Sequence, residues 1–309
     1  MTLSKLITDF LEYLEVERNT SQKTIENYDH YLKRFLEFSG DIEPSAIDLN
    51  LVRKYRLYLS RWTDPKTKQS LKRVTQNYFM IALRAFLRYL ARQDIATLSA
   101  EKIELGETDA SPIKVLDEEA LGRLLAAPDV LDKAGLRDKA LLETLFSTGL
   151  RVSELASLNR DTVNLERKEF GVVGKGRKER LVFLSDSAAQ WLEKYLRSRH
   201  DSFKPLFIRF QGQADPEDNG ENMRLTTRSI QRIVEKYVKG VGLSVKATPH
   251  TLRHSFATDL LINGADIRSV QEMLGHANIA TTQIYTHVTN AHLKDVYRAY
   301  HSGNNSEEK

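Results

Sequence analysis

Apolar residues recur at helical spacing from the start of the chain. Leu3, Leu6, Ile7, Phe10, Leu11 and Leu14 fall on one face of a helix predicted over 3–17. Asn19-Thr20-Ser21 interrupts the pattern. A second helix then carries Ile25, Tyr28, Leu32, Phe35 and Leu36 and closes at Gly40. A third is expected over 50–62. After the turn-like Thr63-Asp64-Pro65, a long fourth over 70–93 presents Val74, Tyr78, Ile81, Leu83, Phe86, Leu87 and Leu90. These four helices predict an all-helical domain over 1–105.

The stretch 106–115 has no apolar periodicity and reads as a linker. A second domain is expected over 116–301, followed by a polar tail, 302–309. Asp117 caps its first helix, and a second over 135–147 ends at Thr148-Gly149. Two β-rich runs flank Gly174-Lys175-Gly176-Arg177, which predicts a hairpin. Helices follow near 187–199 and 227–239. The glycine- and acid-rich run between them, 211–224, lacks the ligand spacing of a calcium loop and reads as a solvated loop. Thr248-Pro249 starts another helix as N-cap and first-turn proline, and Asn263-Gly264 ends it. Gly275 ends a shorter one, and a last helix is expected over 290–300 with Leu293, Val296 and Tyr297 as its apolar stripe. The fold class is therefore mainly α in two domains, the second with a small antiparallel sheet.

Composition adds a partner. The 309 residues contain no cysteine, which excludes disulfides and thiolate metal sites and fits a cytoplasmic protein. No apolar run approaches the roughly 18 residues of a membrane span, and the N-terminus lacks a signal-peptide core. The net charge is only +4, yet between Arg53 and Arg92 eleven Lys/Arg face one acid, Asp64. A solvated helix face usually mixes signs, so this bias points to a polyanion, with nucleic acid ahead of an acidic membrane surface. Arg53, Arg56, Lys72, Arg73, Arg84 and Arg88 fall largely between the apolar positions and are the candidate phosphate contacts.

The chemistry is narrowed first by what is missing. There is no GxxxxGK[ST] loop, no HExxH, no GxSxG and no tight carboxylate cluster, so neither a cofactor nor a metal is expected. What remains is cationic: Arg151, Lys175, His250, Arg253 and His276, with Tyr285 as a possible nucleophile. His250 and Arg253 lie three apart near a helix start and share a face. A phosphodiester attacked without metal gathers negative charge on its non-bridging oxygens, which two guanidiniums can hold bidentately at any working pH. Each residue also has a plainer reading: Arg151 and Glu154 as a surface pair, Lys175 as a turn lysine with Lys178 close by in the same hairpin, His250 as a polar residue near a helix start, His276 as a C-cap, Tyr285 as packing. His254, His287 and Trp191 are assigned to structure.

Taken in order, Arg151 in STGLRVSEL, Lys175 in a hairpin, His250-x-x-Arg253 in TPHTLRHSFATDLL, Leu274-Gly275-His276 and Tyr285 in QIYTHV resemble the tyrosine recombinase (integrase) family. TIENYDHYLKRF and ALRAFLRYL resemble its core-binding domain, and HVTNAHLKDVYRAYH is similar to its Xer-type branch. The resemblance implies a SAM-like N-terminal bundle and a catalytic domain of the DNA breaking-rejoining fold. It also implies that Tyr285 attacks a DNA phosphate and forms a 3′-phosphotyrosine. Arg151 and Arg253 would bind the phosphate, Lys175 protonate the leaving 5′-oxygen, His250 act as acid/base, His276 hydrogen-bond the phosphate, and Glu154 orient Arg151. Lys178 would be a further DNA contact.

The implied partners are double-stranded DNA with paired half-sites, other subunits in a homo- or hetero-tetramer on two duplexes docked through the last helix, and an activating protein. Chromosome dimer resolution is favoured over mobile-element integration because the chain opens directly on the core-binding helices. The competing expectations are a type IB topoisomerase-like enzyme and a degenerate DNA-bending factor. The ending Ser302-Gly303-Asn304-Asn305-Ser306 departs from the usual Xer tail, and 211–224 is longer than is typical.

Overall fold

The computed structural model describes residues 2–65, 67–107, 114–174, 179–243 and 245–275. The chain divides into two compact units, Met1–Ser111 and Pro112–Lys309. Lys175, Lys178, His276, Tyr285, the expected last helix and the tail lie outside the described residues.

The first unit holds α1 (Leu3–Val16), α2 (Gln22–Ser39), α3 (Leu49–Arg61) and α4 (Arg73–Arg92). Local chemistry sets their ends. The Ser21 side chain accepts from the Thr24 amide, Asp48 accepts from the Leu51 amide, and Gly40 leaves α2 at a φ of 74°. The core comprises Leu3, Leu6, Ile7 and Phe10 of α1, Leu32 and Phe35 of α2, Val52, Tyr55 and Leu59 of α3, and one arc of α4. Phe10 sits centrally, its ring meeting Phe86 edge-on at 5.6 Å and Tyr28 at 5.8 Å. Each such side chain contributes roughly 1.5–3 kcal/mol when fully buried.

Two expectations for the fourth helix are corrected. It begins at Arg73 rather than near residue 70, because the chain before it is spent on a turn. Ser70 bridges to Thr63, the Lys68 amide donates to the Asp64 carbonyl, and Lys68 holds a φ of 56°. The core arc also differs. Phe79, Met80, Leu83, Phe86, Leu87 and Leu90 are buried, whereas Val74, Tyr78 and Ile81 are 45%, 49% and 38% exposed. At about 100° per residue those three fall outside the arc centred on Leu83 and Leu90.

In the second unit follow α5 (Glu118–Ala126), α6 (Lys133–Thr148), α7 (Val152–Ser157), β1 (Glu169–Val173), β2 (Glu179–Phe183), α8 (Asp186–Arg197), α9 (Thr227–Gly240), α10 (Pro249–Ile262) and α11 (Ile267–Leu274). The core helix is α6. It packs on α8 and α10 and buries Ala140, Leu141, Leu142 and Leu145 together with Thr144 and Thr148. Those two hydroxyls donate to the carbonyls of Ala140 and Thr144 one turn back, so burial leaves neither unpaired. The buried Arg137 is neutralised by Asp138, which also accepts from the Tyr237 hydroxyl at 2.9 Å.

The strands pair antiparallel, with Glu169 opposite Phe183 and Val173 opposite Glu179. Phe170, Val172 and Val182 face the core. The loop expected at 211–224 is fastened at its end: Arg224 donates to the carbonyls of Ala156 and Leu158 and to Asn159 Oδ1. No described helix is long and apolar enough to cross a membrane.

Gly149 joins α6 to the turn that follows, with a φ of +57°. A Cβ there would overlap the Phe256 ring edge and come within 3.2 Å of Leu274 Cδ2, so α6, α10 and α11 close on this point. Gly149→Ala is expected to destabilise the protein by roughly 2–4 kcal/mol, from left-handed strain plus overpacking. Thermal unfolding followed by circular dichroism reads this as a lower midpoint; an unchanged midpoint would show that Phe256 can yield.

Candidate active site

Helix α10 starts with a reciprocal cap. Thr248 Oγ1 accepts from the Thr251 amide at 3.2 Å, and Thr251 Oγ1 accepts from the Thr248 amide at 3.1 Å. Pro249 occupies the first turn, where its missing N–H costs nothing. This start places His250 at the helix mouth and Arg253 one turn deeper.

Arg253 is 5% exposed. Its Nη1 donates to the Gly149 carbonyl at 2.5 Å and its Nη2 to the Leu274 carbonyl at 2.6 Å. One guanidinium thus joins the end of α6 to the end of α11. Arg151 reaches the same place from the other side, its Nη2 donating to the Gly275 carbonyl at 3.1 Å. Three residues before α11 ends, its carbonyls begin to lack helical partners and carry the negative end of the helix dipole, so guanidiniums are favoured there.

Glu154 sets the pose of Arg151. Arg151 is the N-cap of α7 but has no acceptor, so the cap is one-sided: Glu154 Oε2 accepts from the Arg151 amide at 2.8 Å. The other oxygen, Oε1, accepts from Arg151 Nη1 at 2.9 Å. The same carboxylate takes a second guanidinium head-on, with Arg180 Nη1 at 3.0 Å from Oε1 and Nη2 at 2.7 Å from Oε2. Arg180 Nε donates to the Met273 carbonyl at 3.0 Å. Three arginines therefore end on the carbonyls of residues 273, 274 and 275.

Burial by itself would raise the Glu154 carboxyl. The Arg180 hydrogen bonds, the Arg151 amide and the two positive charges outweigh that and hold it at about 2. His250 is lowered from the ordinary imidazole value, first by desolvation and then by the charges of Arg253 and Arg151. Burial and the two guanidiniums thus favour the neutral imidazole. His254, one turn along at i+4, is lowered first by burial and then by His250 and Arg253.

The structure thus brings Arg151, Glu154, His250 and Arg253 together around the ends of α6 and α11. Lys175, Lys178, His276 and Tyr285 lie outside the described residues, although Gly275, the residue before His276, is held by Arg151. Arg180 is the residue that sequence reasoning missed. Its signal was a charge at an inward strand position: Arg180 stands opposite the buried Val172 and two residues from the buried Val182.

In the first unit the six candidate cations separate into two groups. Arg53, Lys72 and Arg73 are exposed and Arg56 is half-buried. Arg84 and Arg88 instead share Glu101, at 3.2 and 3.0 Å.

The Glu154 carboxyl gives a pH signature. An unfolded glutamate titrates near ~4.3, so on acidification the unfolded chain takes up this proton first. The stability due to Glu154 is complete above the unfolded value and is lost as pH falls towards the folded value of about 2. The stability gap between the wild type and Glu154→Gln should be constant above about pH 5 and shrink below it, as read by urea unfolding at stepped pH. A gap that stays level to the acid limit would contradict the pairing.

Residues 7–94 match the phage integrase N-terminal SAM-like domain, and residues 114–292 match the phage integrase family. The chain is 38% identical over 305 residues to tyrosine recombinase XerD of Lacticaseibacillus casei, covering 96% of this chain and 98% of that one. It is 37% identical over 314 residues to tyrosine recombinase XerC of Pelotomaculum thermopropionicum, covering 96% and 97%. Among solved structures, XerH site-specific recombinase bound to its palindromic difH substrate, in a post-cleavage complex, has the same fold. The TM-score is 0.69 at 24% identity, over 92% of this chain and 81% of that one. The chain belongs to the phage integrase family of tyrosine recombinases.

Proposed function

We propose that this chain is a Xer-type site-specific recombinase that breaks and rejoins duplex DNA through Tyr285. The observation that carries the reading is the anchoring of two guanidiniums, Arg151 and Arg253, on neighbouring carbonyls at the end of α11, with the His250 imidazole within their field. Carbonyl anchoring sets each guanidinium plane before an anion arrives. Preorganised donors of this kind stabilise a pentavalent phosphorane at no further reorganisation cost.

In this reading Arg151 and Arg253 hold the non-bridging oxygens of the scissile phosphate. His250, neutral in the free protein, accepts the proton of the Tyr285 hydroxyl, whose ordinary pKa of ~10 otherwise keeps it a weak nucleophile. The phenolate oxygen bonds to phosphorus and the bond to the 5′-oxygen breaks. Lys175 gives that oxygen its proton, and His276 donates a hydrogen bond to the phosphate. The 3′-phosphotyrosine conserves the phosphodiester energy, so the 5′-hydroxyl of a partner strand can reverse the step.

The first domain, joined by a linker over 106–115, presents Arg53, Arg56, Lys72 and Arg73 to the DNA backbone. Arg84 and Arg88 contribute where a phosphate displaces Glu101. Paired half-sites call for a tetramer on two duplexes, linked through the helix expected over 290–300. An activating partner, a cytoplasmic location and a role in resolving chromosome dimers belong to the same proposal.

The experiment is adduct trapping on fragments of the source genome. Wild type is expected to form a covalent protein–DNA species, and Tyr285→Phe to bind the recovered fragment with similar affinity yet form none. An adduct at wild-type yield would remove Tyr285 from the chemistry. Lys175→Ala is expected to lose at least ~10²-fold in cleavage rate and to recover on DNA whose 5′-bridging oxygen is sulfur. Rescue of Lys178→Ala in its place would move the general acid to Lys178.

A further inference from the structure

One arginine beside the site, Arg180, is left unused by the mechanism above. The Arg180 side chain is 9% exposed and spends three nitrogens on three bonds. Two go to Glu154, the carboxylate that also holds the Arg151 amide and guanidinium. The third goes to the Met273 carbonyl in the last turn of α11. Its aliphatic stem lies against Gly275, where a Cβ would meet Arg180 Cδ at 3.0 Å. Gly275 is in the left-handed region, at a φ of +63°, and is the residue whose carbonyl accepts from Arg151.

We propose that Arg180 is a positioning residue for strand cleavage, locking Arg151 through Glu154 and the end of α11 through Met273. It stands in β2, two residues after Lys178. The strand that follows the two lysines in the chain is thereby tied to the helix start that carries Arg151 and to the helix end that precedes His276 in the chain. A lysine could not make this set of contacts, because only a guanidinium offers a flat fork to the carboxylate and a third N–H pointing away from it. Without Arg180, Glu154 would keep one cation instead of two, and the Met273 carbonyl would lose its donor. Arg151 would remain near the phosphate but less firmly held, and a displacement of about 1 Å in such a group can cost 10²-fold in rate.

The inference rests on Arg151 being a phosphate ligand, and the two can fail separately. The assay is the rate of covalent adduct formation at saturating concentration of the fragment recovered with wild type, alongside its affinity by mobility shift. If Arg151→Ala cleaves at the wild-type rate, the underlying reading fails whatever Arg180 does. With Arg151 shown to be required, Arg180→Met is expected to cleave roughly 10- to 100-fold more slowly while binding DNA within about twofold of wild type. Arg180→Lys should recover only part of the loss.

The double variant Arg180→Met/Glu154→Gln should be no slower than the worse single variant, since both break one unit. In Arg180→Met the rate should also gain an acid limb, as Glu154 moves back up towards the ordinary carboxylate range, and Glu154→Gln should lack that limb. Losses that multiply, an affinity that falls as far as the rate, or an unchanged rate would each overturn the proposal. Should Arg180→Met fail to fold, Arg180→Lys and Glu154→Gln test the same unit: slower cleavage at unchanged affinity supports it, and wild-type cleavage in both overturns it.

Discussion

The arginine cluster of the second unit depends on one shared carboxylate. Glu154 lies between the guanidiniums of Arg151 and Arg180 and accepts an amide hydrogen bond as well. A buried anion is costly alone, and two cations held near each other repel; together they satisfy one another and hold a fixed geometry. The depressed carboxyl, at about 2, reflects that mutual satisfaction. The arrangement holds both the amide and the guanidinium of Arg151 to the first turn of the helix it caps.

The second constraint is the carbonyl end of α11. Three arginines from three elements, Arg151 before α7, Arg180 in β2 and Arg253 in α10, donate to consecutive carbonyls there. The helix dipole makes this a favourable place for positive charge, and the closure at Gly149, Phe256 and Leu274 keeps it close to the end of α6. The arginine cluster is thus assembled on protein carbonyls. Under the proposed function, a phosphate would meet guanidiniums that are already oriented, with little left to order in the transition state.

Much of the fold was legible in the chain. Ser21, Asp117 and the Thr248-Pro249 pair announced helix starts, and Gly40, Gly149 and Gly275 announced ends, because caps depend on neighbours a few residues away. The arc of α4 was legible only in part. Val74, Tyr78 and Ile81 are as apolar as the residues beside them, and only the position of the other three helices decides which arc is buried. Charge was legible as a sum and not as pairings: Glu101 takes Arg84 and Arg88 from 17 and 13 residues away.

By itself the sequence determined the helices, their caps, the hairpin strands, the cationic bias of the first unit and the one-turn spacing of His250 and Arg253. Each of these follows from contacts within about one turn or one strand pair. The tertiary structure alone decided that Arg151 and Arg253, 102 positions apart in number, end on adjacent carbonyls, and that Arg180 completes the set. Those contacts span 21 to 124 residues of chain, and Arg180 reads locally as one more charge in a strand. Its role depends on the register that turns it inward towards Glu154, and register is a property of the packed sheet, since a slip of one residue would face it to solvent.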